Sequence, residues 1–289
     1  MDRIYSFYSS LMNNPFPKAA FFDIDGTLVP YDTRHISQAD CEAIEDLHKQ
    51  GTLIFIVTGR HICDIDNIPF PVNGAVCGNG ALTYIVKDGC ANFHERDRFV
   101  LVEDHPVPRQ QAIDIARIIA ENNIPAAAST ATRTLFDHIT LKTSEFIQRV
   151  NMPSPRNGDI LEAALKERIY SFCPFVSPEE EETLFKDVLS ELDTSRWCNE
   201  YCDINVKGLE KVLGIKKILG TYHISPAEII AFGDGFNDIA MLKFAGCGIA
   251  MGTADDAVKN SADYITASAS DSGVSKWLSS FLDGAAPFM

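Results

Sequence analysis

Two aspartates in the segment DIDGT at 23–27 follow a short apolar segment at 18–22. That apolar segment predicts a buried strand, and ligands of open α/β sheets bind beyond the carboxyl ends of such strands. Because side chains alternate along an extended backbone, we expect Asp23 and Asp25 to point the same way. Two carboxylates that face one point repel each other unless a cation or a proton lies between them. An ordinary Asp/Gly turn at a strand end is the alternative interpretation.

A second acidic segment, GDGFND at 233–238, follows another predicted strand at 229–232. The carboxylates of Asp234 and Asp238 and the amide of Asn237 form an oxygen-rich group. Mg²⁺ prefers oxygen ligands in octahedral geometry, commonly one or two carboxylates together with a substrate phosphate and water. The segment therefore predicts a Mg²⁺ site. A turn that caps the following helix through Asn237 or Asp238 would explain the same residues without a metal.

Two further positions favour the binding of a phosphate group. Thr58-Gly59-Arg60 follows a predicted strand at 53–57 and offers a hydroxyl, backbone N–H groups and a guanidinium, which fits phosphate geometry. Lys211, on a predicted helix, could place an ammonium against carboxylate and phosphate, although an isolated lysine on a helix is usually a surface residue. By position alone, other lysines compete for that role: Lys207, Lys216 and Lys217.

These residues must be held by alternating strands and helices, the pattern of a parallel sheet covered by helices on both faces. Strands are predicted at 18–22, 53–57, 75–77, 229–232, 248–251 and 264–266. Helices are predicted between Ser37 and Gly51 and over 209–222. Two more helices are predicted to begin near residues 237 and 253. The predicted fold class is α/β.

Between about residues 84 and 202 the pattern changes. Helical patterns cover 108–123 and 178–192, and strand-like segments lie at 133–141, 168–175 and 196–204. This block is predicted as an α+β domain with mostly antiparallel strands, inserted into the α/β core. The predicted division is a core of residues 1–83 and 203–289 and an inserted domain of residues 84–202.

The composition is that of an ordinary folded chain with a strong negative charge. Of 289 residues, 46% are hydrophobic and 22% are charged, and 25 Lys and Arg against 40 Asp and Glu give a net charge of −15. This balance argues against nucleic acid and against an anionic membrane surface as partners, because both bind through basic residues. No membrane span and no secretory signal are predicted. Eight cysteines are too sparse for a disulfide scaffold, which favours reduced thiols and a cytoplasmic location.

Together, DIDGT at 23–27, Thr58 within IVTGR, Lys211 and GDGFND at 233–238 resemble the four ordered motifs of the haloacid dehalogenase superfamily. The resemblance is closest to the Cof-type phosphatases, which carry a large cap between the second and third motifs. CGNGA at 77–81 resembles the segment at the entry to that cap, and GLEKVLGIKKIL at 208–219 resembles the third-motif helix in the register that selects Lys211. The resemblance implies a Rossmann-like catalytic core and an inserted cap that sets substrate specificity.

The resemblance also implies a Mg²⁺-dependent phosphatase that acts through a phosphoaspartate. Asp23 would be the nucleophile, and Asp25 would first protonate the leaving alcohol and then activate water. Thr58 and Lys211 would complete the catalytic set by binding phosphoryl oxygens. Mg²⁺ would be held by the Asp23 carboxylate, the Asp25 carbonyl and the Asp234 carboxylate, with support from Asp238 and Asn237. The residues expected to contact phosphate or substrate are Thr27, Gly59, Arg60, Asn79 and Asn237.

The resemblance implies a small phosphorylated metabolite as substrate, because in this family a large cap closes over the core site. Sugar phosphates are the first candidate substrates, and phosphorylated cofactors such as flavin mononucleotide or pyridoxal phosphate are the second. Phosphoryl transfer without net hydrolysis, as in phosphomannomutases, and a catalytically silent binding protein remain alternatives; the intact Asp23 and Asp25 argue against the second. Dehalogenation is disfavoured, because a halide needs no proton from Asp25. The sequence leaves open the physiological substrate, the cap residues that select it, the oligomeric state and the role of residues 1–17.

Overall fold

A computed structural model of the chain describes residues 2–12, 14–33, 35–65, 68–149, 156–196 and 198–282. These residues form two compact units. The first unit comprises the described residues of Met1–Gly59, Asp66–Glu103 and Glu210–Met289. The second comprises those of Arg60–Ile65 and Asp104–Leu209.

The elements are numbered in chain order. The strands are β1 (Ala19–Phe22), β2 (Leu53–Val57), β3 (Gly74–Cys77), β4 (Leu82–Val86), β5 (Phe99–Asp104), β6 (Ala126–Thr130), β7 (Thr134–Asp137), β8 (Arg156–Asn157), β9 (Ile169–Pro174), β10 (Leu192–Ser195), β11 (Asp203–Val206), β12 (Ile229–Gly233), β13 (Cys247–Ala250) and β14 (Tyr264–Ile265). The helices are α1 (Asp2–Ser10), α2 (Gln38–Lys49), α3 (Arg109–Glu121), α4 (Leu141–Arg149), α5 (Ile160–Lys166), α6 (Pro178–Phe185), α7 (Lys211–Tyr222), α8 (Ile239–Phe244), α9 (Asp256–Lys259) and α10 (Gly273–Leu282).

An eight-stranded sheet in the order β14-β13-β12-β1-β2-β3-β4-β5 forms the centre of the first unit. The strands from β14 to β3 in that order run parallel, and β4 pairs with β3 antiparallel. The central strands β1 and β12 are buried along their whole length, as expected when both faces of a parallel sheet are covered. The prediction of an α/β fold with a parallel-sheet core is confirmed.

Helices pack on both faces of this sheet. Neighbouring side chains of β1 point to opposite faces and contact different helices. Phe21 stacks on Phe55 with ring centroids 5.0 Å apart, and Phe55 meets Tyr222 of α7 edge-on. Phe22 faces the other way: it stacks on Phe232, which in turn meets a tryptophan of α10. Helices α7 and α8 therefore cover one face of the sheet, and α10 covers the other.

The boundaries of the first unit differ from those expected from the sequence. The sequence predicts that the core breaks off after residue 83 and resumes at residue 203. In the structure the first unit includes residues up to Glu103 and resumes at Glu210. The physical reason is that β4 and β5 extend the core sheet, so the segment that contains them is not part of the second unit. The short segment Arg60–Ile65, by contrast, belongs to the second unit.

The second unit has a six-stranded sheet in the order β10-β11-β9-β6-β7-β8. Its pairs are antiparallel except that of β7 with β8. Helices α3 and α5 pack on the buried core of this unit together with α6. Two predictions for this block are wrong. The helix predicted over 178–192 ends at Phe185, and among the described residues the strand predicted over 196–204 overlaps a strand only at Asp203 and Ile204, where β11 begins.

The N-terminal helix α1 packs on the first unit. Phe7 of α1 is fully buried, and its ring lies 6.1 Å from that of Phe281. The guanidinium of Arg3 contacts the carboxylate of Asp263, and the hydroxyls of Tyr8 and Tyr264 share a hydrogen bond of 2.9 Å. Within the described ranges, no helix combines the length and the hydropathy that crossing a bilayer requires.

Candidate active site

The two acidic segments leave neighbouring strands at the same edge of the core sheet. Strands β1 and β12 pair in parallel with Phe22 opposite Phe232, and the backbone N–H of Asp23 donates to the Phe232 carbonyl at 3.1 Å. Asp23 and Asp234 are therefore the first acidic residues beyond two adjacent carboxyl ends. This is the edge at which ligands of open α/β sheets bind.

The turn that follows β1 depends on Gly26. Its φ is +83°, in the left-handed region that favours glycine. A Cβ atom at this position would lie 2.1 Å from Oδ2 of Asp234, so a side chain would collide with that carboxylate. The close approach lets Oγ1 of Thr27 donate to Oδ1 of Asp234 at 2.9 Å. The structure thus places Thr27, expected to contact phosphate or substrate, on a site carboxylate.

Lys211, the first residue of α7, is fully buried between two carboxylates. Its Nζ donates to Oδ1 of Asp23 at 2.5 Å and to Oδ1 of Asp238 at 2.7 Å. The other oxygen of Asp238 accepts the backbone N–H groups of Asp234 at 3.1 Å and Gly235 at 2.9 Å. Asp238 therefore links the lysine to the loop that carries Asp234.

Three carboxylates of this site lie close together. One oxygen from each of Asp23, Asp234 and Asp238 lies within 4.8 Å of the other two. Burial raises the pKa of Asp23 well above its ordinary value; Lys211 opposes this shift, and the charges of Asp238 and Asp234 add to it. Burial is also the main cause that raises the pKa of Asp234 to about 6. Close, buried carboxylates resist ionisation together unless positive charge is added.

Lys211 supplies part of that positive charge. Its burial lowers the pKa of the ammonium, but the attraction of Asp23 and Asp238 is stronger, so the pKa lies above its ordinary value. One ammonium stands against three carboxylates, which leaves negative charge for a further cation. Carboxylate oxygens are the ligands that hard divalent cations prefer. The described residues thus fit a divalent metal, and this acidic cluster can hold one.

The segment after β2 is joined to the acidic loop through two asparagines. Thr58 is buried, and its carbonyl accepts the N–H of Asn79 at 3.1 Å. A Cβ atom on Gly59 would lie 3.3 Å from the Asn79 amide, so this amide passes close to the Gly59 backbone. Oδ1 of Asn79 accepts from Nδ2 of Asn237 at 2.9 Å. Asn79 itself has a φ of 53°, which turns the chain sharply here.

Two predicted site residues lie outside the three-carboxylate cluster. Asp25 is half-buried, and its carbonyl, the proposed metal ligand, accepts the hydroxyl of Tyr31 at 3.3 Å. Arg60 belongs to the second unit, where its guanidinium donates to the Asp64 carbonyl at 3.4 Å. The expected role of Arg60 in phosphate binding remains a prediction.

Tyr31 is a site residue that the sequence did not indicate. Besides the Asp25 carbonyl, its hydroxyl lies 3.5 Å from Oδ2 of Asp234. Desolvation of its hydroxyl end beside the site raises the pKa of the Tyr31 phenol, and the negative charges of Asp234, Asp23 and Asp25 raise it further, so the hydroxyl stays a donor. A single tyrosine six residues after Asp25 follows no motif, so only the folded loop shows where its hydroxyl lies.

Known proteins are similar to this chain in both sequence and fold. The model of the haloacid dehalogenase-like hydrolase family matches residues 20–278. The putative phosphatase YkrA of Bacillus subtilis is 28% identical over 265 residues, which cover 89% of this chain and 95% of the relative. The pyridoxal phosphate phosphatase YbhA of Escherichia coli is 27% identical over 277 residues, which cover 90% of this chain and 97% of the relative.

The fold is also similar to that of a solved enzyme. The sugar phosphatase BT4131, of subclass IIB of the superfamily, superposes with a TM-score of 0.75 at 29% identity, and the match covers 91% of this chain and 98% of that one. The family match, over residues 20–278, includes parts of all three segments of the first unit and the whole of the second. The chain therefore belongs to the haloacid dehalogenase-like hydrolases and, among them, to the Cof-type phosphatases, which makes it a phosphoric monoester hydrolase.

Proposed function

We propose that this chain is a Mg²⁺-dependent phosphatase that hydrolyses a small phosphorylated metabolite, with sugar phosphates as the first class, through a phosphoaspartate on Asp23. One observation carries the proposal: a fully buried lysine holds Asp23 at 2.5 Å beside two further carboxylates. A carboxylate fixed in this way is presented as a nucleophile in one orientation. The desolvated site disfavours the charge of this carboxylate until a cation binds beside it.

In the first half of the reaction, a carboxylate oxygen of Asp23 attacks phosphorus and the bond to the leaving alcohol breaks. Lys211 fixes the orientation of Asp23 and, with Thr58, attracts the phosphoryl oxygens as their charge redistributes. Asp25 donates its proton to the leaving oxygen. In the second half, Asp25 takes a proton from water, the water attacks phosphorus of the phosphoaspartate, and Asp23 is released.

Bound Mg²⁺ would neutralise the acidic cluster and polarise a phosphoryl oxygen. The carboxylates of Asp23 and Asp234 and the carbonyl of Asp25 would hold it. Asp238 would support the metal site indirectly, since its two oxygens accept from Lys211 and from two backbone N–H groups of the acidic loop. The hydrogen bond from Thr27 would orient Asp234.

The remaining predicted residues would shape the phosphate site. The bond between Asn79 and Asn237 would hold the loop that contains Gly59 against the acidic loop, so that its backbone N–H groups can receive phosphate oxygens. The guanidinium of Arg60 would add a further contact to phosphate or substrate. The second unit would serve as the cap that selects the substrate.

The relatives support a small substrate, since one is named for sugar phosphates and another for pyridoxal phosphate. A net charge of −15 fits such a partner better than nucleic acid or an anionic membrane. All eight cysteines are free thiols, which supports a cytoplasmic location. Phosphotransferase activity is the alternative, and release of inorganic phosphate without an acceptor separates it from hydrolysis.

The first test is phosphate release from a panel of sugar phosphates and phosphorylated cofactors, with Mg²⁺ and after chelation. We expect Mg²⁺-dependent release from at least one ester. Full activity after exhaustive chelation would refute the metal assignment. Transfer of the phosphoryl group to an added acceptor alcohol, without release of inorganic phosphate, would point to a transferase.

The second test separates the two aspartates of DIDGT. Asp23→Asn keeps the shape of the side chain but loses the attacking oxyanion, so activity should fall to background. Asp25→Asn keeps the nucleophile and loses proton transfer, which typically contributes ~10²–10⁴-fold. With an aryl phosphate, which needs little protonation, Asp25→Asn should give a burst of phenol and a mass increase of one phosphoryl group on Asp23. An adduct on any other residue would overturn these roles.

A further inference from the structure

Two aromatic side chains stand exposed beside the acidic cluster. Tyr31 is 72% exposed and Phe236 is 60% exposed, although each lies in a loop that carries buried site carboxylates. The core of the same unit buries its aromatic rings completely, as at Phe22 and Phe232, which stack with centroids 5.1 Å apart. The exposed pair therefore adds nothing to the packing of the sheet.

Both aromatic residues lie at the edge of the sheet where the chemistry takes place. Tyr31 follows β1 by nine residues, and Phe236 follows β12 by three, within GDGFND. Because β1 and β12 are paired in parallel, their two loops leave the sheet side by side. We call Tyr31 and Phe236 the aromatic rim.

The side chain of Tyr31 is held in place by hydrogen bonds of its hydroxyl. Its hydroxyl donates to the carbonyl of Asp25 at 3.3 Å and lies 3.5 Å from Oδ2 of Asp234, while the ring remains open to solvent. The loop is also fastened one residue later, where Oδ1 of Asp32 accepts the hydroxyl of Ser270 at 3.0 Å. The ring is thus held next to Asp25, the residue that the proposed function assigns to the leaving group.

We propose that the aromatic rim binds the leaving group and that the preferred leaving group carries a planar ring. This inference rests on the proposed function and, among the small phosphorylated metabolites proposed there, ranks esters of planar rings above the sugar phosphates. The carboxylates and Lys211 can recognise only phosphate and metal, so they do not distinguish one ester from another. An aromatic face attracts a flat, polarisable ring by offset stacking or edge-to-face contact. It attracts the apolar face of a sugar ring less strongly, and an acyclic polyol has no such face.

Three phosphate esters test the rim. Pyridoxal 5′-phosphate has a planar ring, glucose 6-phosphate a saturated ring, and glycerol phosphate none. We expect Tyr31→Ala to lower kcat/KM about three- to tenfold for the pyridoxal ester, less for the glucose ester and least for the glycerol ester, since aromatic pairs contribute about this much. Phe236→Ala should produce the same ranking. An equal loss on all three esters, or no loss on the pyridoxal ester, would overturn the inference.

A conservative variant and a distant one serve as controls. Tyr31→Phe keeps the ring and loses the hydroxyl, so it should retain the preference for the pyridoxal ester; a Tyr31→Phe variant that behaves like Tyr31→Ala would show that the hydroxyl alone matters and refute ring binding. Tyr5→Ala removes a tyrosine in α1 that is 75% exposed, and it should change none of the three rates.

A binding measurement separates this inference from the proposed function. In the Asp23→Asn background no turnover is expected, and binding of pyridoxal 5′-phosphate can be followed by its absorbance. Adding Tyr31→Ala should weaken that binding about three- to tenfold. Unchanged binding would refute the rim. A wild type that releases phosphate from no ester while the binding difference persists would refute the proposed function alone.

Discussion

At the residue scale, the ammonium of Lys211 donates hydrogen bonds to two of the three site carboxylates at once. Its Nζ lies 2.5 Å from Asp23 and 2.7 Å from Asp238, and no solvent reaches it. Removing one partner of a buried ion pair leaves the others uncompensated, which costs much more than the pair itself contributes. The position of Lys211 at the start of α7 therefore opposes the effect of burial on the pKa of Asp23, the proposed nucleophile.

We expect Lys211→Ala to lower kcat/KM ten- to a hundredfold or more, because a hydrogen bond to a charged partner contributes roughly 1.5–3 kcal/mol and ~1.4 kcal/mol is a factor of ten. The control is Lys207→Ala, which removes an exposed lysine only four residues away. Steady-state kinetics on both variants checks the prediction. Small and equal effects would show that the lysine of the third motif lies elsewhere.

A buried histidine of the second unit should make stability depend on pH. His61 is 6% exposed; its Nε2 shares a hydrogen bond of 3.1 Å with Ser171, and among the described residues its Nδ1 has no partner. Burial lowers the pKa of His61 to about 4. The unfolded chain, with an ordinary pKa near 6.5, thus takes up a proton more readily than the folded one. The resulting stability is complete above about pH 6.5 and is lost as the pH falls toward 4.

We expect the free energy of unfolding to fall over this interval by up to about 3 kcal/mol from His61 alone, at about 1.4 kcal/mol per pH unit. His61→Gln should be less stable at pH 7 but should flatten the acid branch of the profile. The matched control is His138→Gln at an exposed position of the same unit. Urea titrations between pH 4 and 7 measure the slopes, and parallel profiles for wild type and His61→Gln would contradict the assignment.

The site aspartates could be found from the sequence because each lies within a few residues of a recognisable strand end. The contacts of Lys211 and Asn79 join segments far apart in the chain, and the register of Lys211 came only from the resemblance to a family motif. Tyr31 could not be found at all. Its hydroxyl reaches Asp234 through a loop conformation, and no local pattern encodes that contact.

At the element scale, the placement of α7 on the sheet depends on a glycine. A Cβ atom on Gly214 would lie 2.5 Å from Cγ1 of Val76 on β3 and 2.6 Å from Oγ1 of Thr83 on β4. The helix thus approaches the two strands more closely than any other residue would permit. Since Lys211 begins the same helix, this close approach helps to set its distance from Asp23.

We expect Gly214→Ala to destabilise the protein by about 1–3 kcal/mol through overpacking and to lower kcat as α7 moves away from the sheet. Gly220→Ala is the control within the same helix. A Cβ atom there meets nothing within 4 Å, so this variant should be stabilised by about 0.5–1 kcal/mol and keep its activity. Thermal unfolding measures the stability of both variants, and steady-state kinetics measures their kcat. A Gly214→Ala variant with wild-type stability and kcat would refute the packing argument.

The elements of the second unit were harder to predict than those of the first. The core strands are apolar, buried segments that alternate with helices, so their types and order follow from the sequence. By contrast β6 has the sequence AAAST, and alanine favours helices, yet its pairing with β7 and β9 makes it a strand. Likewise α6 ends at Phe185, since the chain must turn before β10 can pair with β11.

At the scale of the whole molecule, the first unit includes a helix that lies outside the family match. The family match begins at residue 20, but α1 lies before it and packs on the same unit. Arg3 of α1 donates to the carbonyls of Leu242 at 2.5 Å and Ala245 at 2.8 Å, at the end of α8. It also donates to both oxygens of Asp263, at 2.7 and 2.6 Å. One side chain thus joins the N-terminal helix to the last third of the chain.

The other end of α8 lies at the candidate active site. Asp238 directly precedes this helix, which has only six residues, and its carboxylate holds Lys211. We therefore expect Arg3→Ala to lower the free energy of unfolding by about 1–3 kcal/mol, because a partly buried network of charged hydrogen bonds is lost. The effect should be confined to the first unit. Hydrogen exchange should accelerate in residues 239–250 and stay unchanged in α3 of the second unit.

A matched variant separates the loss of this anchor from the loss of any surface charge. Arg117→Ala in α3 breaks an exposed ion pair with Asp114, so it should change stability by well under ~1 kcal/mol and leave exchange in residues 239–250 as in the wild type. Exchange that rises equally in both units of Arg3→Ala would mean that the molecule opens as one body. Unchanged exchange at α8 would mean that the contacts of Arg3 do not stabilise this helix. Faster exchange at α8 alone would show that residues outside the family motifs stabilise the helix that carries Asp238 at its start.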